Sequence, residues 1–371
     1  MSHTDQVFEA VERLDYLDKP QVGKPGFNRR AFLRRTALTG VASGSVGALL
    51  SACGSSAKGG GGSANVFGSH KKYKFVFVNH VTTNVFFTPT QYGAADASNL
   101  LGCEFQWTGS ESSNVSQMVT ALNSAVTGGA DGIAVALTDL HAFNAPVDAA
   151  LKAGIPVVAY NSDAPGNARL AYIGQDLKKA GEKMGERIVS AVGSGDVALF
   201  IATPGQANLQ PRIEGAEKAI KASGKPIRAH SVATGAAVAG EQSAIEAYYL
   251  GHNETKGLYA VDGGSTESLG KVVQKLGLAS KGIKTGGFDT PEATTKLLSE
   301  GNLDFTIDQQ PYLQGFLPIQ QLFMYKVSGT LTGMADTNTG LKFLDKTTVV
   351  PYNKTKTRYE GTSSSVAVVS A

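Results

Sequence analysis

His80 and His141 each stand just beyond an apolar run, where a chain entering a loop commonly displays chemistry. Histidine titrates near neutrality and serves as proton shuttle or metal ligand, but neither has an evident nucleophile partner. The sequence has no His-Glu-x-x-His, no cysteine pairs at zinc spacing and no nucleophile elbow. Gly264-Ser265-Thr266-Glu267-Ser268-Leu269-Gly270-Lys271 imitates a phosphate-cradling loop. Its glycines stand one residue too far apart, and Val272 occupies the place of the metal-binding Ser or Thr. No catalytic residue, cofactor or metal site is therefore expected. The residues point to binding.

The amino-terminal 70 residues concern place. Asn28-Arg29-Arg30-Ala31-Phe32-Leu33-Arg34 resembles the twin-arginine export motif, and Thr36–Ala52 follows with no charged residue. Leu50-Ser51-Ala52-Cys53 resembles the lipobox of bacterial lipoproteins, in which the cysteine takes a diacylglyceryl group and becomes the first mature residue. Acyl chains contribute about 0.8 kcal/mol per buried CH₂, so two or more anchor lastingly. With Cys53 so used, Cys103 reads as a buried free thiol. The Gly/Ser-rich stretch after Cys53 is a flexible coil that lets a body stand roughly 20–25 Å off the bilayer. Residues 1–52 are thus expected to be signal peptide and 53–72 a lipidated tether, on the outer face of the cell membrane.

A chain of 371 residues, 42% hydrophobic, exceeds one ordinary small domain and suggests two lobes. The net charge is only +3, and residues 1–52 hold seven Lys/Arg against five Asp/Glu, leaving a nearly neutral body. Such a surface has no electrostatic footprint for nucleic acid.

From Tyr73 onward, short β-branched and aromatic runs alternate with amphipathic stretches. Strands are predicted at 75–79, 103–107, 132–137, 156–160, 196–201, 227–232, 258–261, 284–288 and 304–307. Helices are predicted from Thr88-Pro89, over 115–126, and at 144–153, 176–191, 212–223, 241–250, 265–276, 291–299 and 310–325. Strict alternation implies doubly wound parallel sheets, an α/β fold, with ligands at the carboxyl ends of the strands.

Six motifs in order carry a resemblance to the ribose/galactose-type (type I) periplasmic binding proteins, over about residues 73–352. They are Val78-Asn79 with Thr83-Asn84-Val85-Phe86-Phe87; Pro156-Val157-Val158-Ala159-Tyr160-Asn161-Ser162; Asn208-Leu209-Gln210-Pro211-Arg212-Ile213-Glu214-Gly215; Tyr259-Ala260-Val261-Asp262; Gly286-Gly287-Phe288-Asp289; and Thr306-Ile307-Asp308-Gln309-Gln310-Pro311. The resemblance implies two α/β lobes joined by three crossovers near Gly174, Gln309 and Gly340. The first lobe would be 73–174 plus 310–340 and the second 175–309 plus 341–352, with 353–371 a disordered tail.

The resemblance also implies a ligand-binding set. Phe86, Phe87 and Trp107 (or Tyr160) would cover C–H faces. Asn84, Asn161, Asn208, Gln210 and Gln309 would supply amides, which both donate and accept. Asp262 and Asp289 would accept charge-assisted bonds from hydroxyls. Where ribose binders place Asp-Arg this chain has Asn161-Ser162, and Gln210 replaces a sugar-facing arginine. A small neutral sugar or polyol other than ribose is expected. Arg212 is expected in a structural or hinge-facing ion pair, and charged residues elsewhere on helices are expected to face solvent. The partners implied are an ABC permease and its ATPase, with the protein itself a monomer. A receptor signalling to a membrane kinase has the same sequence signature; a tethered carbohydrate-active enzyme fits less well. A repressor of this fold would carry a helix-turn-helix where the export signal stands.

Overall fold

The computed structural model describes residues 67–235, 237–355 and 357–359; the export motif, Cys53 and most of the tether lie outside them. Two six-stranded sheets form the framework. The first contains β1 (Lys74–Asn79), β2 (Glu104–Gly109), β3 (Gly132–Val135), β4 (Val157–Tyr160), β5 (Ala171–Gly174) and β11 (Thr337–Asn338), in the order β11-β5-β4-β3-β1-β2. The second contains β6 (Gly195–Ile201), β7 (Ile227–Ala233), β8 (Gly257–Ala260), β9 (Lys284–Phe288), β10 (Thr306–Asp308) and β12 (Lys342–Leu344), in the order β12-β10-β9-β8-β6-β7. The chain builds both halves by the same path. All pairings are parallel except β10 with antiparallel β12.

Burial explains the sequence pattern. β3, β4 and β8 are buried at every residue, as strands covered on both faces must be, and each is a continuous apolar run. β2 and β7 lie at sheet edges, alternate in burial and read more polar. In the first lobe the connecting helices are α1 (Thr88–Leu101), α2 (Val115–Thr127) and α3 (Asn144–Lys152). In the second they are α4 (Leu177–Val192), α5 (Gln210–Ala222), α6 (Val238–Gly251), α7 (Gly263–Leu276) and α8 (Glu292–Ser299). α9 (Leu313–Val327) returns to pack on α1, and α10 (Val350–Thr355) packs on α8.

Caps mark the helix starts that the sequence suggested. Asn114 accepts from the Gln117 amide at 3.0 Å and Asp176 from the Lys179 amide at 2.9 Å. Each lobe also has a helix pair that meets backbone to backbone. A Cβ at Gly181 would run into the Arg212 carbonyl oxygen, and one at Gly315 into that of Thr90. Glycine is required at both because only its missing side chain admits the approach.

The chain passes between sheets after Gly174, after Asp308, and between Asn338 and Lys342. β5, β11 and β12, which the pattern did not predict, flank these passages. With two to four residues each they are too short to show a period. The segments are tied together: the Thr339 hydroxyl donates to the Gln309 carbonyl at 2.8 Å, and Gln175 Nε2 to the Gly340 carbonyl at 3.2 Å.

The carboxyl-terminal segment differs from expectation. Residues 353–355 complete α10, and beyond it Arg358 pairs with Asp96 at 2.9 Å and stacks 4.6 Å over Tyr92. Tyr359 meets the Tyr312 ring edge-on at 4.9 Å. The chain thus ends its described course on the first lobe. Residues 360–371, also expected to be disordered, lie outside the described residues.

Candidate functional site

The carboxyl ends of both sheets open onto one cavity of about 480 Å³ between the lobes, within the range of small-molecule sites. After β1 the chain makes a 3₁₀ turn over Val85–Phe87, capped by Asn84, whose Oδ1 accepts from the Phe86 amide at 2.9 Å. This leaves the Asn84 NH₂ for the cavity and fixes Phe86 edge-to-face with Phe87 at 4.7 Å. His80 abuts Phe87 edge-on at 5.3 Å; burial lowers its pKa to about 4, so the imidazole is neutral.

β4 and β9 occupy equivalent places in the two sheets, and the residue after each has a positive φ: 61° at Asn161 and 73° at Asp289. Left-handed backbone is uncommon outside glycine and most accessible to Asn and Asp, the types found here. Both side chains join a hinge-spanning relay. Asn161 Nδ2 donates to Gln314 Oε1 at 3.1 Å, Gln314 Nε2 to Gln309 Oε1 at 3.2 Å, and Gln309 Nε2 to Asp289 Oδ1 at 2.6 Å. Burial raises the Asp289 pKa to about 6 against the opposing pull of Arg212. Asp262 caps α7: Oδ1 accepts from the Ser265 amide at 2.8 Å and Oδ2 from the Ala202 amide at 3.0 Å. Burial raises its pKa also.

On the second-lobe wall, Arg212 makes no ion pair among the described residues. Its NH1 donates to the Val261 carbonyl at 2.8 Å and its NH2 to Gln175 Oε1 at 3.1 Å, with the guanidinium 4.1 Å above the Phe288 ring. Arg212 Nε, Asn208 Oδ1 and His80 Nδ1 are buried without a hydrogen-bond partner among the described residues. Such orphaned groups cost about 1–3 kcal/mol each until something pairs them. At the lips, Gln206 Nε2 reaches Ser113 Oγ at 3.2 Å and the Ala207 amide reaches the Thr138 carbonyl at 3.3 Å, joining the lobes across the opening.

The cavity therefore gathers Asn84, Phe86, Phe87, Asn161, Asn208, Asp262, Asp289 and Gln309. Trp107 and Gln210 stand outside its lining. Trp107 pairs in register with Phe77, stacks on that ring at 5.7 Å and donates its indole N–H to the Thr82 carbonyl at 3.2 Å, supporting Phe87 from behind. Gln210 begins α5, and its Oε1 turns back to accept from the Gly205 amide at 3.0 Å. Tyr160 is wholly buried, its hydroxyl accepting from Asn79 Nδ2 at 2.7 Å. Sequence reasoning did not place His80, Glu241 or Arg212 in the cavity. Arg212 had a signal in its position one helical turn beyond Asn208, and His80 had one in standing just beyond a strand, whereas Glu241 had none. Cys103 is a buried free thiol, as read from the sequence. Among the described residues no cluster of three or more His, Cys, Asp or Glu is suited to a metal, and no helix is long and apolar enough to cross a membrane.

Two α/β lobes of one strand order, crossed three times by the chain and enclosing a cavity of mixed polar and aromatic lining at their strand ends, define a two-lobed solute-binding protein. The periplasmic binding protein domain matches residues 75–329, and the chain belongs to that family, whose members work outside the cytoplasm. The xylose/arabinose-binding protein XylF of Sulfolobus acidocaldarius is 48% identical over 309 residues, 79% of this chain and 76% of that protein. Among solved structures, an ABC transporter solute-binding protein of Burkholderia graminis in complex with D-arabinose is 26% identical, with a TM-score of 0.72, over 76% of this chain and 99% of the other. The glucose-galactose binding protein GanP of Geobacillus stearothermophilus is 25% identical, with a TM-score of 0.69, over 75% and 99%.

Proposed function

We propose that the protein captures a neutral pentose, xylose or arabinose, between its lobes and delivers it to the permease of an ABC importer, held at the outer membrane face by a lipid on Cys53. The observation that carries this is the cavity itself. An aromatic wall of Phe86 and Phe87 faces a second-lobe wall of Asn208, Arg212 and Asp289, with buried donors and acceptors that have no partner among the described residues. A hydroxyl-rich molecule with apolar C–H faces supplies both needs. An analogue lacking one hydroxyl strands a polar group and is rejected. The 48% identical relative bears a xylose/arabinose name, which supports the pentose.

The lobes would comprise 73–174 plus 310–340 and 175–309 plus 341–352, swinging on the tied segments at Gly174, Gln309 and Gly340. Micromolar-order affinity, about −8 kcal/mol, suits a carrier that must also release. A thermal-shift screen of pentoses, hexoses, polyols and amino acids on protein lacking residues 1–53 tests the reading. Xylose or arabinose at 100 times its dissociation constant adds about 2.7 kcal/mol of stability. Asn84→Ala abolishes the shift without unfolding the protein. A shift with an amino acid or an anion, and with no neutral sugar, refutes it.

A further inference from the structure

Glu241 lies in the first turn of α6, a helix position that ordinarily faces water, yet it is only 2% exposed and its carboxyl group lines the cavity. Among the described residues its carboxyl has one hydrogen bond, a long one from the Ser268 hydroxyl to Oε2 at 3.4 Å. The carboxyl rests against Gly264, where a Cβ would meet both of its oxygens, so a bare backbone leaves room for the acid at the start of α7. A buried carboxyl with so little pairing is costly unless it has further business.

We propose that Glu241 is a ligand-contacting, specificity-determining residue of the second lobe, whose carboxyl group hydrogen-bonds one hydroxyl of the captured molecule. This rests on the reading of the cavity as a sugar site and names a contact that the aligned motifs do not contain. The surroundings fix the form of the contact. α7 presents Asp262 and Glu267 to Glu241, the latter paired with Lys271 at 2.5 Å; Asp289 and Arg212 line the same cavity, as does Glu111 from the first lobe. Farther along α6, Glu246 is held by Lys275 at 2.7 Å. Burial, reinforced by Asp262, raises the Glu241 pKa to about 8. Near neutrality the group therefore carries its proton and donates, and a glutamine of the same shape reproduces it.

The test measures dissociation constants calorimetrically with the full-length protein, for D-xylose, D- and L-arabinose, and the monodeoxy analogues of whichever binds. Wild type, Glu241→Gln and Glu241→Ala are compared. Glu241→Ala weakens the parent sugar by about tenfold to a hundredfold, the worth of one buried hydrogen bond, and Glu241→Gln stays within about threefold. One deoxy analogue binds wild type poorly but binds Glu241→Ala as well as the parent does. Affinity of the wild type falls as pH rises through about 8, where the donor proton leaves, and Glu241→Gln lacks that inflection. Deoxy penalties that are all unchanged in Glu241→Ala, or an inflection that survives in Glu241→Gln, overturn the proposal. If wild type binds no pentose, the sugar reading fails by itself. The three proteins are then compared with whichever polyol or amino acid does bind, and equal affinities overturn the contact.

Discussion

Asp289→Asn separates what the cavity gains for binding from what it loses in stability. Asp289 has a folded pKa of about 6 against an ordinary 3.8, so the folded chain holds the proton more tightly than the unfolded one. A raised carboxyl pKa means stability that is present at low pH and lost as pH climbs from about 4 through about 6. The gap of about two pKa units, at 1.36 kcal/mol each, is an ionisation penalty of about 3 kcal/mol in the ligand-free protein at pH 7.5. Asparagine keeps the shape, tolerates the φ of 73° and still accepts from Gln309, but has no charge to bury. Ligand-free Asp289→Asn is therefore more stable than wild type by up to about 3 kcal/mol at pH 7.5 and nearly equal to it at pH 3.5. It also binds sugar about tenfold to a hundredfold more weakly, having lost a charge-assisted acceptor. Urea unfolding at the two pH values and calorimetric titration measure these quantities. A variant less stable than wild type at pH 7.5, or with a gain of the same size at pH 3.5, refutes the reasoning.

Three further outcomes follow. Gly181→Ala places a methyl group against the Arg212 backbone, forces α4 and α5 apart and lowers stability by about 1–3 kcal/mol in urea titration, whereas an alanine at exposed Gly251, with open space around it, has no such effect. Cys53→Ser removes the acylation site proposed above, and on that proposal the protein moves from the membrane fraction to the soluble one on cell fractionation. Arg358→Ala releases the segment after α10 from Asp96 and Tyr92, so that limited proteolysis trims the carboxyl terminus faster while sugar binding persists.

Most of the framework was legible because parallel strands buried on both faces are unbroken apolar runs and the helices between them carry caps. Each of the nine strands read this way has its counterpart. The strands at Ala171–Gly174, Thr337–Asn338 and Lys342–Leu344 escaped because two to four residues flanking the passages between sheets have no period to read. Of the cavity lining, Asn161 and Asp289 were read from the resembling motifs, and each stands at a positive φ that favours Asn or Asp. The site was not legible where a neighbour decides the direction of a side chain. Trp107 belongs to an edge strand whose register puts its ring on Phe77, and Gln210 folds back on Gly205. Glu241 was hidden for the opposite reason: polarity in a first helical turn reads as solvent exposure, and only Gly264 across the gap shows the space that receives it.

The amide relay from Asn161 through Gln314 and Gln309 to Asp289 passes through the joint itself, since Gln309 lies in one of the three connecting passages. Selecting a guest and bending the molecule consequently draw on the same side chains. A variant bred for a new sugar by altering Asp289 or Asn161 inherits an altered swing as well, and its rate of sugar release shifts along with its preference. Retuning one without the other calls for changes at positions that stand clear of the relay, such as the Phe86 wall.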